Sequence, residues 1–157
     1  MKKSIVVTIS ALLAVLMLFS CGVETKSPMT RERAEKLEKE VIESAIFSEE
    51  MTKFGDNSIK MIFGFCESAV WKTGYTGVSG AAADEFCIFE APDESELEKY
   101  ETQLKEYLAD RLVQFRDYAP AQVPKLESAV IEKSGLFLIY YVGPESQKMR
   151  DLISKAV

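Results

Sequence analysis

The absence of histidine from this 157-residue chain removes the commonest general base and the commonest metal ligand together. What chemistry remains must rest on carboxylates, thiols, hydroxyls and arginines. Arg111 stands out among them. On a helix advancing about 100° per residue it falls among Leu104, Leu108 and Phe115, near the middle of an apolar stripe. A guanidinium buried there needs a carboxylate or carbonyl partner, because an unpaired buried charge is costly. Asp84 and Glu85, at the start of the preceding strand, are the nearest candidates in sequence. Two readings stay open: an inward ion pair that locks helix to sheet, or an anion- or carboxylate-binding group in a groove. Asp84 and Glu85 could also act as acid and base if their surroundings separated their pKa values. Neighbours on a strand point to opposite faces, however, which arranges this pair poorly around one substrate.

Cys66 and Cys87 do not have the spacing of the Cys-x-x-Cys patterns of zinc or dithiol chemistry. Outside the cytoplasm they could close a disulfide that stabilises the fold by roughly 3 kcal/mol; otherwise they are two buried thiols. Neither has a histidine to make it a nucleophile. Gly77-Val78-Ser79-Gly80-Ala81 approaches the serine-hydrolase elbow but leads into a strand, and no Ser-x-x-Lys pair substitutes for histidine. The same glycines lack the lysine or helix N-terminus of a phosphate loop and read as a mobile turn. Glu49-Glu50 and the Glu94-Ser95-Glu96 run lie at helix starts, where they complement the dipole, and no calcium loop pattern is present. No metal, cofactor or catalytic residue is expected. With 25 acidic residues against 19 basic ones, a nucleic-acid footprint is not expected either.

The elements that must position these residues follow from periodicity. Thr30 is placed to cap a helix with Ala34, Leu37, Val41, Ile42 and Ala45 at helical spacing and Glu35–Lys39 as a surface pair, ending near Phe47. Ile59 to Phe65 fits either a short helix or a strand. Asp84 to Ala91 reads as a strand, and Asp93 or Ser95 then caps a long helix reaching about Tyr118. Pro120 and Pro124 bracket a tight connection around Gln122. Ser128 to Glu132 and Leu136 to Val142 form a hairpin, and Ser146 to Ala156 a final helix. Tyr140 and Tyr141 fall on opposite faces, one of them available as a contact surface, and Trp71 belongs in or beside the core. The fold expected is α+β: a small antiparallel sheet packed against a long central helix, with N- and C-terminal helices.

The amino end differs from the rest. Lys2 and Lys3 precede an apolar run from Ile5 to Phe19, too short for a membrane span and suited to a secretory signal. Leu18-Phe19-Ser20-Cys21-Gly22 resembles the lipobox of bacterial lipoproteins, which implies a diacylglyceryl group on Cys21 and cleavage before it. The domains expected are a signal over 1–20, a lipidated cysteine and tether over 21–30, and one α+β domain over 31–157. Two acyl chains hold a protein far more firmly than one.

Three segments carry a further resemblance: Gly80 to Phe89, with Asp84 and Glu85; Arg111-x-x-Gln114-x-x-x-Tyr118-x-Pro120; and Val123-Pro124-Lys125-Leu126-Glu127-x-Ala129-Val130-Ile131 with Gly135. Together they resemble a family of small bacterial lipoproteins classed only as domain of unknown function 4358, over roughly Phe54 to Val142. The family has no established activity. The resemblance therefore implies a location at the outer face of the cytoplasmic membrane, and it places Glu85, Arg111, Gln114 and Tyr118 in motif segments. The expectation is a lipid-anchored, non-enzymatic binding or interaction module of the cell envelope. Its partners would be the membrane, through Cys21, and an envelope protein or small ligand. An accessory protein binding a small anion or carboxylate for a transporter or sensor is the alternative, and a carboxylate-dependent enzyme the third reading.

Overall fold

The computed structural model describes residues 27–157. The expected signal, Cys21 and most of the tether lie outside the described residues. The order begins with α1 (Arg31–Glu43), β1 (Met51–Lys53), α2 (Asp56–Ile62), a 3-10 turn (Gly64–Cys66) and β2 (Trp71–Gly77). It continues with β3 (Glu85–Glu90), α3 (Glu94–Tyr118), a 3-10 turn (Pro120–Gln122), α4 (Val123–Glu127), β4 (Val130–Ser134), β5 (Phe137–Val142) and α5 (Ser146–Ala156). All five strands join one antiparallel sheet in the order β1-β2-β3-β5-β4. The fold is α+β, with α3 as its long helix.

The two central strands explain the layering. In β3, Phe86 and Ile88 pack on one side with α1 and α5, while Cys87 and Phe89 pack on the other with α2 and α3. In β5, Phe137, Ile139 and Tyr141 share the first side, and Leu138, Tyr140 and Val142 the second. A strand covered on both faces reads as a continuous apolar run, as Phe137 to Val142 does. Tyr140 and Tyr141 do take opposite faces, but both are fully buried, so neither forms a contact surface.

Helix ends follow local chemistry. Thr30 accepts from Arg33 N and starts α1, whose buried stripe is Ala34, Leu37 and Val41. The helix stops at Glu43, before the expected Phe47, because Ser44 turns extended and its hydroxyl bonds the Val41 carbonyl at 2.7 Å. Lys39 pairs with Glu43, not with Glu35. Asp93 caps α3 by accepting from Glu96 N at 2.9 Å.

Of residues 59–65, open to helix or strand by periodicity, 59–62 close α2 and 64–65 enter the 3-10 turn, so the helical alternative holds. Of the glycines expected to make a mobile turn, Gly77 ends β2, and Gly74 lies inside the strand: a Cβ on Gly74 would sit 2.8 Å from Phe54 and 2.9 Å from Cys87 Sγ. Glycine is needed there because two side chains approach the strand backbone closely. Between β2 and β3, Val78 to Asp84 remains a loop. Trp71 is half-buried at the sheet margin, with the Arg31 guanidinium 5.1 Å from its ring centroid.

Candidate functional site

Glu85 begins β3 on the α3 side of the sheet, and α3 brings Tyr107 and Arg111 over it on successive turns. Arg111 Nη1 donates to Glu85 Oε2, and Tyr107 Oη donates to Glu85 Oε1 at 3.0 Å. Longer contacts of 3.4 Å run from Arg111 to Tyr107 Oη and to the Ala83 carbonyl. The guanidinium lies 5.2 Å from the Phe115 ring centroid and 5.7 Å from that of Tyr107, so aromatic faces hold its cationic plane. Side-chain exposure is 11% for Arg111 and 4% for Glu85. The arginine of the apolar stripe is therefore ion-paired, as burial of its charge requires.

Burial pushes the Glu85 carboxyl up, against the pull of Arg111 and the hydrogen bond from Tyr107. It also pushes Tyr107 and Tyr140 up, and the charge of Glu85 adds to both. For Arg111, burial works against the charge and Glu85 more than restores it. The Tyr140 hydroxyl reaches toward the same carboxylate from β5 and helps to hold its pKa down, yet falls short of full hydrogen-bond geometry, the one such buried side-chain atom among the described residues. An orphan hydroxyl beside a buried ion pair is unusual in a folded core.

The cluster is not sealed. Glu85 and Arg111 form the floor of a groove of about 620 Å³ between the Gly77 to Gly80 loop and the α3 residues Asp110, Gln114 and Tyr118. The Tyr118 hydroxyl donates to the Gly80 carbonyl and ties the two walls together at one end. Ile62, Val78 and Tyr118 leave apolar surface exposed along it.

Asp84 is not part of this floor. It is fully buried and accepts from Ser48 N at 2.8 Å, Ser48 Oγ at 2.7 Å and Lys125 Nζ at 2.6 Å. Lys125 also donates to Gln122 Oε1 at 2.7 Å, which accepts from Ala83 N at 3.3 Å. This network fastens the loop after α1, the start of β3 and α4 to one another. Asp84 and Glu85 thus take separate partners, and the acid–base pair has no common cleft.

Cys66 and Cys87 are both buried and stand as free thiols in this structure. Cys87 Sγ packs over Gly74 in mid-sheet, while Cys66 ends the 3-10 turn in the same core. Burial pushes the Cys66 thiol up to about 11, and Cys87 rises well above its ordinary value through burial and the charge of Glu85. Neither is an activated nucleophile. Among the described residues, no group of three or more His, Cys, Asp or Glu side chains could hold a metal ion.

The motif residues Glu85, Arg111, Gln114 and Tyr118 all meet at one groove, and Asp84 does not. Tyr107 and Asp110 also belong to it. Tyr107 was legible only as a member of the stripe, although its place four residues before Arg111 puts it on the same helix face. A family model described as Domain of unknown function (DUF4358) matches residues 43–143, well over half of the chain. The chain belongs to that family. No curated protein and no solved structure matches it. Within the matched span lie β1 to β5, both walls of the groove and the Asp84 network.

Proposed function

We propose that this DUF4358 protein is a lipid-anchored, non-catalytic binding module of the cell envelope, moored through Cys21 at the outer face of the cytoplasmic membrane. Its recognition surface is the groove over Glu85 and Arg111. One observation carries the reading: a guanidinium almost wholly buried and ion-paired still lines an open groove. A pair serving only to lock helix to sheet needs no such opening.

The direction of the groove supports the anchored reading. The chain reaches the fold at Met29, whose N donates to Ser134 Oγ at 3.0 Å beside the β4–β5 turn. Glu85 lies at the other end of β3, opposite Val142, whereas Glu90 lies opposite Phe137 near that turn. Five residue steps of strand separate the two ends by about 17 Å. The recognition surface then faces away from the membrane. An accessory protein presenting a small anion or carboxylate to a transporter or sensor would use the same groove.

Two measurements test this. Mass spectrometry of the membrane fraction should find the mature product acylated at Cys21, and Cys21→Ser should release it. A thermal-shift screen of small metabolites on the full chain should give stabilising compounds whose effect Arg111→Lys and Gln114→Ala reduce. An unacylated product overturns the mooring; compounds whose effect neither variant changes overturn the groove.

A further inference from the structure

The groove presents both signs of charge side by side. The hydrogen bonds of Arg111 occupy three of its five guanidinium N–H groups, leaving donor capacity on a side chain that lines the groove. Asp110, one residue earlier on α3, lines it too, is exposed, and its carboxylate makes no hydrogen bond or ion pair among the described residues. Gln114 adds an exposed amide one turn further on. The apolar surface between them comes from Ile62, Val78 and Tyr118.

A simple anion placed on Arg111 would meet the repulsion of Asp110 and Glu85. A simple cation placed on Asp110 would leave the spare N–H groups of Arg111 and the Gln114 amide without an acceptor. A molecule carrying a carboxylate and an ammonium satisfies both neighbours and adds no net charge to an acidic protein. From this juxtaposition we infer that the groove binds a small zwitterion of the amino-acid type: carboxylate on Arg111 and Gln114, ammonium on Asp110, apolar side chain against Ile62, Val78 and Tyr118. A volume of about 620 Å³ is ample for one amino acid or a short peptide. The ion pair with Glu85 fixes the guanidinium in advance, so little ordering remains to be done on binding.

The inference rests on the groove being a binding site, and the experiment separates the two. Isothermal titration of the full chain compares L-leucine with N-acetylleucine, which lacks the ammonium, and leucinamide, which lacks the carboxylate. Leucine should bind, and blocking either end should weaken binding at least tenfold. Asp110→Asn, at an exposed position whose loss does not threaten folding, should abolish the preference for leucine over N-acetylleucine. Arg111→Lys should weaken both. Equal binding of leucine and N-acetylleucine, unchanged by Asp110→Asn, overturns the zwitterion and leaves the groove standing. Silence from all three compounds also overturns it, and the groove falls as well only if the wider screen is equally silent.

Discussion

Tyr140 and Tyr141 are consecutive, fully buried and on opposite faces of β5, yet their hydroxyls meet different fates. Tyr141 Oη donates to the Ile46 carbonyl and accepts from Glu145 N at 3.1 Å. Tyr140 Oη completes no hydrogen bond. The same contrast separates the carboxylates that begin β3. Asp84 accepts from three donors, one of them a backbone N–H, whereas Glu85 shares its face with an orphan hydroxyl and floors a groove. The Asp84 and Tyr141 side is finished as structure. The Glu85 and Tyr140 side is left short of a partner, as polar clusters that serve a ligand tend to be.

The largest effects should come from breaking the two ion pairs. Asp84→Ala removes the carboxylate that satisfies Ser48 N and Lys125, and should cost about 3–5 kcal/mol in urea unfolding. Arg111→Met should cost a similar amount, because it leaves Glu85 buried without its counter-charge. The sides then diverge. Adding Glu85→Leu and Tyr107→Phe to Arg111→Met should restore most of the lost stability, since a buried pair and the hydroxyl that bonds it can be exchanged together for apolar packing. Replacing Asp84 and Lys125 together should not, because the Ser48 N–H stays unsatisfied. Equal recovery at both ends would erase the contrast.

A smaller test uses the tyrosines themselves. Tyr141→Phe should lower stability by about 1–2 kcal/mol, because the Glu145 N–H and the Ile46 carbonyl both lose their partner. Tyr140→Phe removes a hydroxyl that only partly engages Glu85 and should cost clearly less than Tyr141→Phe. Thermal unfolding of the two variants side by side decides it. A Tyr140→Phe loss as large as that of Tyr141→Phe would mean the hydroxyl is used after all, and the Glu85 side would be as complete as the other.

How far the sequence reaches depends on whether a constraint is local. The course of α3 was legible because its stripe runs unbroken from Leu97 to Tyr118 and both ends carry their own signals, Asp93 and Pro120. The pairing of Arg111 was legible because a charge within that stripe demands a partner, and Glu85 lay on the nearest strand. The strand β2 was not, since Gly74 and Gly77 look like breakers until Phe54 and Cys87 are known to close on Gly74. The partner of Asp84 was hidden for the same reason. Lys125 lies 41 positions further along, on a short helix whose lysine looks like any surface residue. Asp110 carried no signal of its own, because only the groove gives an exposed aspartate a role.

The smallest effect expected is one of pH, and it again sets the two faces against each other. On the α1 side, Glu38 accepts from Lys53 Nζ at 2.8 Å, Thr73 Oγ1 at 2.7 Å and Tyr75 Oη at 2.8 Å. Burial pushes its carboxyl up, but these bonds outweigh burial and leave it below the ordinary carboxylate range. A carboxyl lowered on folding stabilises above its unfolded pKa, and that contribution disappears as pH falls through the folded value. Glu85 is raised on folding, so its contribution is present below its unfolded pKa and is lost as pH climbs through the folded one. Glu38→Gln should therefore flatten the acid limb of the stability profile, by under about 1 kcal/mol because its charged partner Lys53 is more than half exposed. Glu85→Gln should gain on the native chain as pH rises from the acid range. Thermal unfolding across that range, with both variants beside the native chain, reads the two slopes directly. Slopes of the same sign would mean that Glu85 is solvated or paired as well as Glu38, and that the floor of the groove is as finished as the closed side of the sheet.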